Sequence, residues 1–425
     1  MTTQIKLEYK TKIIKGILIK QDNTYITVKQ KNGYNINLLN NEIKILEKKQ
    51  FFDNKHEIKI KKQQNNNNLT NIMILHTGGT IASKIDYNTG AVSSKFTPEE
   101  LLNLYPELNK LANLKVKLIG NFFSEDMRFS HYNLLLNQIK NLSNEIDGVI
   151  ISHGTDTLHY TSTALQYSLN NLNIPIILVG AQRSSDRSSS DAYSNLKTAI
   201  QFIIQNKNLD LSFRRVGICM HKNSSDDDFL ILDGINAKKM HSTKRNAFKQ
   251  INYLPYAEIS NNNLKILRPE LQTKQTNSKL EITNYNENLK IGFFKAHPNL
   301  FPEELKQLQI YDAVIIEGTG LGHMAVDEVD DSTKIHIQNL EQLKFLSKKI
   351  KLIMGVQTNY GITNMDIYSS GRYIQKYVLG NHMNLTTETL FIRAAFILSK
   401  NKFNFEEIWK QNLEGFKLNW GDIDE

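Results

Sequence analysis

The chain has 425 residues, 40% of them hydrophobic, a net charge of +9 and a single cysteine, Cys219. That length allows two or three domains. One cysteine excludes an internal disulfide and any multi-cysteine metal site. Apolar runs such as 174–179 are too short to cross a bilayer, and residues 1–20 hold no apolar signal core. The expectation is a soluble, cytoplasmic protein without membrane contact.

The charge is uneven. Residues 1–70 hold 14 lysines and no arginine against 6 acids, so nearly all the excess lies there. Such a face could meet RNA or an acidic partner. It could equally reflect a chain that favours Lys, Asn and Ile throughout.

Residues 1–60 read as a small β-barrel. Short β-rich runs occupy Ile13–Ile19, Tyr25–Val28 and Tyr34–Leu38, with Asn32-Gly33 as a hairpin turn between two of them. Residues 61–70 are polar and of low complexity, and they read as a linker. From residue 71 the pattern changes to strands at 71–75, 115–120, 147–152, 174–179 and 215–220. Helical periodicity lies at 131–142, 157–170 and 191–205. That alternation predicts an α/β domain over 71–275, a parallel sheet flanked by helices. The polar stretch 255–286 reads as irregular and as the connection to a second α/β domain, 286–425. There strands are expected at 289–294, 312–317 and 351–356, and helices at 303–309, 337–349, 386–399 and 404–416.

Two strand-to-loop turns carry the chemistry. Ile72–Leu75 runs into His76-Thr77-Gly78-Gly79-Thr80, and Gly148–Ser152 runs into His153-Gly154-Thr155-Asp156-Thr157. Adjacent glycines let the backbone bend sharply and approach a ligand. Neighbouring parallel strands bring such loops to one rim, where open α/β sheets bind ligands. A threonine hydroxyl needs a base to become a nucleophile. A lysine with a lowered pKa can be that base. Two threonines, an aspartate and a lysine therefore suffice for acyl transfer through an ester.

Thr77-Gly78-Gly79-Thr80-Ile81-Ala82, followed by His153-Gly154-Thr155-Asp156-Thr157, resembles the paired motifs of the L-asparaginase/glutaminase family. Asp86-Tyr87-Asn88-Thr89-Gly90 resembles that family's mobile lid, and Ser124-Glu125-Asp126-Met127 its substrate-binding loop. Val179-Gly180-Ala181-Gln182-Arg183 is similar to its next strand end. Lys238-Lys239-Met240-His241-Ser242 resembles the segment with its lysine. Glu317-Gly318-Thr319-Gly320-Leu321-Gly322 and Tyr368-Ser369-Ser370-Gly371-Arg372 resemble signatures of its C-terminal domain. The small barrel, with Phe123-Ser124-Glu125-Asp126-Met127, resembles one subfamily most, the GatD component of archaeal Glu-tRNA(Gln) amidotransferase. In that enzyme GatD hydrolyses glutamine and passes ammonia to a second component, GatE, which binds tRNA(Gln) and uses ATP and Mg to amidate its glutamate.

The resemblance implies a small β-barrel followed by a two-domain asparaginase-like body that forms a homodimer. It assigns Thr80 as nucleophile, Tyr87 as the lid residue that assists it, and Thr155, Asp156 and Lys239 as the proton-transfer group. Ser124 would hold the α-carboxylate of glutamine, and Asp156 with Glu125 its α-ammonium. Backbone at Gly79, Gly154, Thr155 and Ala181 would line the substrate and oxyanion site. It implies no metal and no cofactor in this chain. The absence of a Gly-x-x-x-x-Gly-Lys-Ser/Thr loop agrees with ATP acting at the partner.

Other features read as structural. His153 and His159 are six apart without a third ligand. Gly318, Gly320 and Gly322 miss the dinucleotide spacing by one residue. Asp226-Asp227-Asp228 reads as a solvated loop. Two rival readings are a free-standing cytoplasmic L-asparaginase and a catalytically silent binding scaffold.

Overall fold

A computed structural model describes residues 2–30, 35–51, 66, 68–79, 84–85, 92–93, 105–183 and 189–414. Residues 2–51 fold as strands β1 (Thr2–Tyr9), β2 (Lys12–Gln21), β3 (Tyr25–Gln30), β4 (Asn35–Leu39) and β5 (Ile43–Phe51), all antiparallel, in the order β4-β3-β2-β1-β5. Ile5 and Leu7 of β1, Ile26 and Val28 of β3 and Leu38 of β4 share one core. The sheet therefore curls over its own apolar face. Among the described residues no ladder joins its edges β4 and β5. The Asn32-Gly33 turn and most of the linker lie outside the described residues, but β3 and β4 flank that turn with Lys29 opposite Asn35.

The following block is built on an eight-stranded sheet. Its strands are β6 (Asn71–Gly78), β7 (Asn113–Phe122), β8 (Gly148–Ser152), β9 (Ile176–Val179), β10 (Val216–His221) and β11 (Asp228–Asp233), then β14 (Ala257–Ser260) and β15 (Asn263–Ile266). Between β11 and β14 lies a separate hairpin of β12 (Ala237–Lys239) and β13 (Phe248–Gln250). The large sheet runs β7-β6-β8-β9-β10-β11-β14-β15. Its first five strands are parallel and its last three antiparallel. The sheet is thus mixed rather than purely parallel. Residues 257–266 are not an irregular connection: they form an edge hairpin that turns at Asn261 and Asn262, both at positive φ (49° and 66°). Asparagine tolerates that left-handed backbone.

Alternate residues of β8 point to opposite faces, as the period of two requires. Val149 and Ile151 enter one core with helices α1 (Phe129–Lys140) and α2 (Leu158–Ser168), while Ile150 enters another with α3 (Ala192–Lys207). Each such side chain contributes about 1.5–3 kcal/mol on full burial.

The C-terminal block has a three-stranded parallel sheet of β16 (Ile291–Lys295), β17 (Ala313–Gly318) and β18 (Lys351–Val356). Its helices are α4 (Pro302–Lys306), α5 (His336–Ser347), α6 (Ser369–Ile374), α7 (Thr387–Lys400) and α8 (Phe405–Trp409). Leu390 and Ile392 of α7 lie in the same core as α1, α2 and β8, so the two α/β blocks share one apolar interior. The helix expected at 404–416 stops at Trp409. Buried Arg393 takes the Trp409 and Gln411 carbonyls at 2.8 Å each, which draws the chain off the helix axis. Among the described residues no helix is long and apolar enough to cross a membrane.

Candidate active site

The two glycine-threonine turns leave one rim of the large sheet. β6 and β8 are parallel neighbours with His76 opposite Ser152. His76 Nδ1 lies 2.6 Å from Ser152 Oγ, and Thr77 Oγ1 donates to the Ser152 carbonyl at 3.0 Å. These bonds tie the two strand ends together below the loops.

Above them the backbones touch. Gly78 and Gly79 adopt φ of +104° and +78°. A Cβ on Gly79 would stand 2.4 Å from the Gly154 nitrogen, and one on Gly154 would stand 2.8 Å from Ser124 Oγ. A Cβ on Gly180 would meet Thr155 Cγ2 at 2.7 Å. The carboxyl ends of β6, β7, β8 and β9 thus converge with no room for side chains at the contacts. The convergence brings together Gly79, Ser124, Gly154, Thr155 and Asp156, and Gly180, which precedes buried Ala181, packs against Thr155.

Ser124 is buried in a short turn after β7, where its hydroxyl accepts the Asp156 N–H at 3.2 Å. Its carbonyl accepts Thr157 Oγ1 at 2.6 Å. Glu125, beside it, is exposed. Thr155 is buried. Lys239 reaches it from the β12–β13 hairpin, with Nζ donating to Thr155 Oγ1 at 2.8 Å and to Asp156 Oδ1 at 2.7 Å. Lys238, on the opposite face of the same strand, pairs instead with Glu388 of α7 at 2.9 Å. Strand alternation separates the two lysines. Thr80 and Tyr87 lie outside the described residues. Thr80 follows Gly79 directly in sequence.

His153 is packed beneath this site. Its Nδ1 lies 2.7 Å from the Gly154 carbonyl and its Nε2 2.9 Å from Thr161 Oγ1, so both ring nitrogens are engaged. Burial pushes His76, His153 and His159 down to about 4. Neutral, enclosed imidazoles fit a scaffold role. Among the described residues no cluster of three or more His, Cys, Asp or Glu side chains could hold a metal.

Sequence reasoning missed the support behind Ala181. Asp191 precedes α3 and resembles an N-cap, but its buried carboxylate turns back to accept the Gln182 and Arg183 N–H groups at 3.1 and 3.0 Å. Asn195 holds the Gly180 carbonyl at 2.9 Å and His221 Nδ1 at 2.7 Å. Asp226 is exposed, as a solvated loop requires, and pairs with Arg245 at 2.5 Å. Gly318 and Gly322 fold back on each other in a self-packed turn, where a Cβ on Gly318 would stand 2.8 Å from Gly322 Cα.

Comparison with known proteins bears on the fold and the family. Residues 71–272 match the family model "Asparaginase, N-terminal". The solved L-asparaginase of Thermococcus kodakarensis is similar over 82% of this chain and 100% of that one, with TM-score 0.69 and 23% identity. L-asparaginase I of Vibrio cholerae gives TM-score 0.68 at 21% identity over 82% of this chain and 100% of that one. These likenesses establish the asparaginase-like α/β fold.

Relatives that cover more than nine-tenths of the chain narrow the class. The GatD component of glutamyl-tRNA(Gln) amidotransferase from Methanococcus maripaludis strain C7 is 34% identical over 397 residues, 92% of this chain and 91% of that protein. The Pyrococcus abyssi protein of the same name is 34% identical over 92% of this chain and 86% of its own length. The chain belongs to the GatD family of glutamyl-tRNA(Gln) amidotransferases.

Proposed function

We propose that this chain is the glutamine-hydrolysing component of a tRNA-dependent amidotransferase. It supplies ammonia for conversion of Glu-tRNA(Gln) to Gln-tRNA(Gln). The observation that carries the reading is Lys239 Nζ within hydrogen-bonding distance of both Thr155 Oγ1 and Asp156 Oδ1 at the rim that Gly79 leads into.

In this mechanism Thr80 Oγ attacks the side-chain amide carbon of glutamine and its proton leaves to a base. Tyr87 closes over that step. The tetrahedral carbon collapses, the C–N bond breaks, and nitrogen takes a proton to depart as ammonia. A water molecule then cleaves the threonyl ester to release glutamate. Thr155, Asp156 and Lys239 carry the protons. Such positioned acid–base groups typically contribute about 10²–10⁴-fold. Ser124 holds the α-carboxylate, while Asp156 and Glu125 hold the α-ammonium. Backbone N–H groups near Thr155 and Ala181 stabilise the oxyanion, each such donor contributing about 3–4 kcal/mol, and Gly79 and Gly154 line the substrate.

The body forms a homodimer, and its partner is GatE, the tRNA-binding component. ATP and Mg²⁺ act at that partner, which carries most of the contact with tRNA(Gln) in the cytoplasm. Free ammonia would be wasted, so turnover waits for charged tRNA.

The test is ammonia release from glutamine and from asparagine by the chain with GatE, with and without ATP and Glu-tRNA(Gln). Strong stimulation by charged tRNA, lost in Thr80→Ala, supports the reading. Fast asparagine hydrolysis by the chain alone, indifferent to tRNA, makes it an asparaginase with an accessory N-terminal sheet.

A further inference from the structure

The hairpin that carries Lys239 is held by the other α/β block. At its base Asn236 is buried at φ +59°. The Asn236 side chain donates to the Asn384 carbonyl at 2.8 Å and accepts the Thr386 N–H at 3.0 Å. Its backbone N–H donates to Thr389 Oγ1 at 3.3 Å. Two residues along the chain, Lys238 reaches Glu388 on the first turn of α7. One short segment of the C-terminal block, 384–389, thus grips the hairpin twice, immediately before the residue that reaches Thr155.

The pair is a costly way to hold two blocks together. Both side chains are mostly enclosed, at 21% and 16% exposure. Buried ion pairs are often no more stabilising than apolar residues of the same volume. Glu388 Oε2 is buried with no hydrogen-bond partner among the described residues, as is His159 Nδ1. An unsatisfied buried acceptor destabilises the fold. What the pair does supply is geometry. Lys238 and Lys239 leave opposite faces of a three-residue strand, so fixing the first sets the direction of the second.

We propose that Lys238 and Glu388 act as a clasp through which the C-terminal block positions Lys239 against Thr155 and Asp156. Glu388 and Lys238 are then positioning residues for the reaction, and this inference rests on the glutaminase reading above for its kinetic consequence. A displacement of about 1 Å at a reacting group can cost roughly 10²-fold in rate. The clasp touches no substrate atom, so its loss lowers kcat and leaves KM for glutamine nearly unchanged.

The experiment compares Lys238→Ala, Lys238→Arg and Glu388→Gln in the complex with GatE, using glutamine and charged tRNA, alongside melting curves. The expected result is a roughly 10²-fold fall in kcat for Lys238→Ala and Glu388→Gln with KM held. Lys238→Arg, which keeps the pair, regains most of the loss. A crystal structure of Lys238→Ala gives a readout independent of turnover: Lys239 Nζ is expected beyond hydrogen-bonding reach of Thr155 Oγ1. An unmoved Lys239 overturns the clasp. So does an active wild type whose three variants match it, or variants whose kcat falls only in step with their melting temperature. A wild type that releases no ammonia from glutamine fails the glutaminase reading, and the Lys239 position in Lys238→Ala still decides the clasp.

Discussion

Lys239 Nζ lies 2.8 Å from Thr155 Oγ1 although 84 positions separate them in sequence. Replacing Lys239 by methionine keeps most of its volume and removes the ammonium. Thr155 then loses its proton partner and Asp156 its counter-ion. We expect kcat for glutamine hydrolysis to fall by roughly 10²–10⁴-fold, with a melting temperature close to wild type. Steady-state ammonia release and a thermal melt check this. Near-normal kcat in Lys239→Met would remove Lys239 from proton transfer.

Gly79→Ala combines two penalties. Alanine resists a φ of +78°, and its Cβ would stand 2.4 Å from the Gly154 nitrogen. A strained backbone of that kind costs about 1–3 kcal/mol before any clash is relieved. Both loops must separate to admit the methyl group. Loss of activity together with a lower melting temperature is expected. Retention of both would mean that the loops do not meet as described.

Acid should destabilise the fold well before the carboxylates titrate. His76, His153 and His159 are held near 4 by burial, against about 6.5 in an unfolded chain. Their folded pKa values are depressed, so below 6.5 the unfolded chain binds protons that the folded chain refuses. The stability they contribute is intact above about pH 6.5 and is lost progressively as pH falls toward 4. Each histidine accounts for up to about 3 kcal/mol at the acid end. Melting temperature measured from about pH 7.5 to 4.5 should drop steeply below 6.5. A flat profile over that range would contradict the buried, neutral assignment.

Arg393 is 1% exposed, pairs with Glu414, and lies 5.1 Å over the Trp409 ring. Tyr167 Oη also donates to Glu414, at 2.6 Å. Arg393→Met leaves the Glu414 carboxylate uncompensated in the interior, which typically costs about 3–5 kcal/mol. Chemical denaturation should reveal a loss of that order. Arg393 donates to Glu414, Trp409 and Gln411, whereas Lys239 donates to Thr155 and Asp156, so kcat measured well below the melting temperature should change little.

The site was legible where chemistry repeats in sequence. Paired turns at Gly79 and Gly154 follow apolar strands, and a parallel sheet brings such strand ends to one rim. Lys239 was separable from Lys238 only by counting back from Phe248, the residue it faces in the hairpin. Partners beyond the turns were not legible. Asp191 has the sequence signature of an N-cap, and nothing local says that its carboxylate turns back to the Gln182 and Arg183 N–H groups. Glu388 looks like a first-turn acid on α7, and only the tertiary fold brings it to Lys238. The edge hairpin at 257–266 was hidden because an exposed edge strand carries polar residues that lack a clean apolar alternation. The end of α8 was misread because the Trp409 and Gln411 carbonyls answer to Arg393 rather than to helix propensity.

Nitrogen from the glutamine side chain is expected to end on tRNA through this chain's acyl chemistry. The most direct measurement uses glutamine labelled with ¹⁵N at its side-chain amide, the complex with GatE, ATP and Glu-tRNA(Gln), and mass analysis of the amino acid released from tRNA. The label is expected in the tRNA-linked glutamine, lost in Thr155→Ala and replaced by unlabelled nitrogen when free ammonium rescues that variant. Hydrolysis of labelled glutamine with no label on tRNA, at any ratio of the two components, would contradict the account.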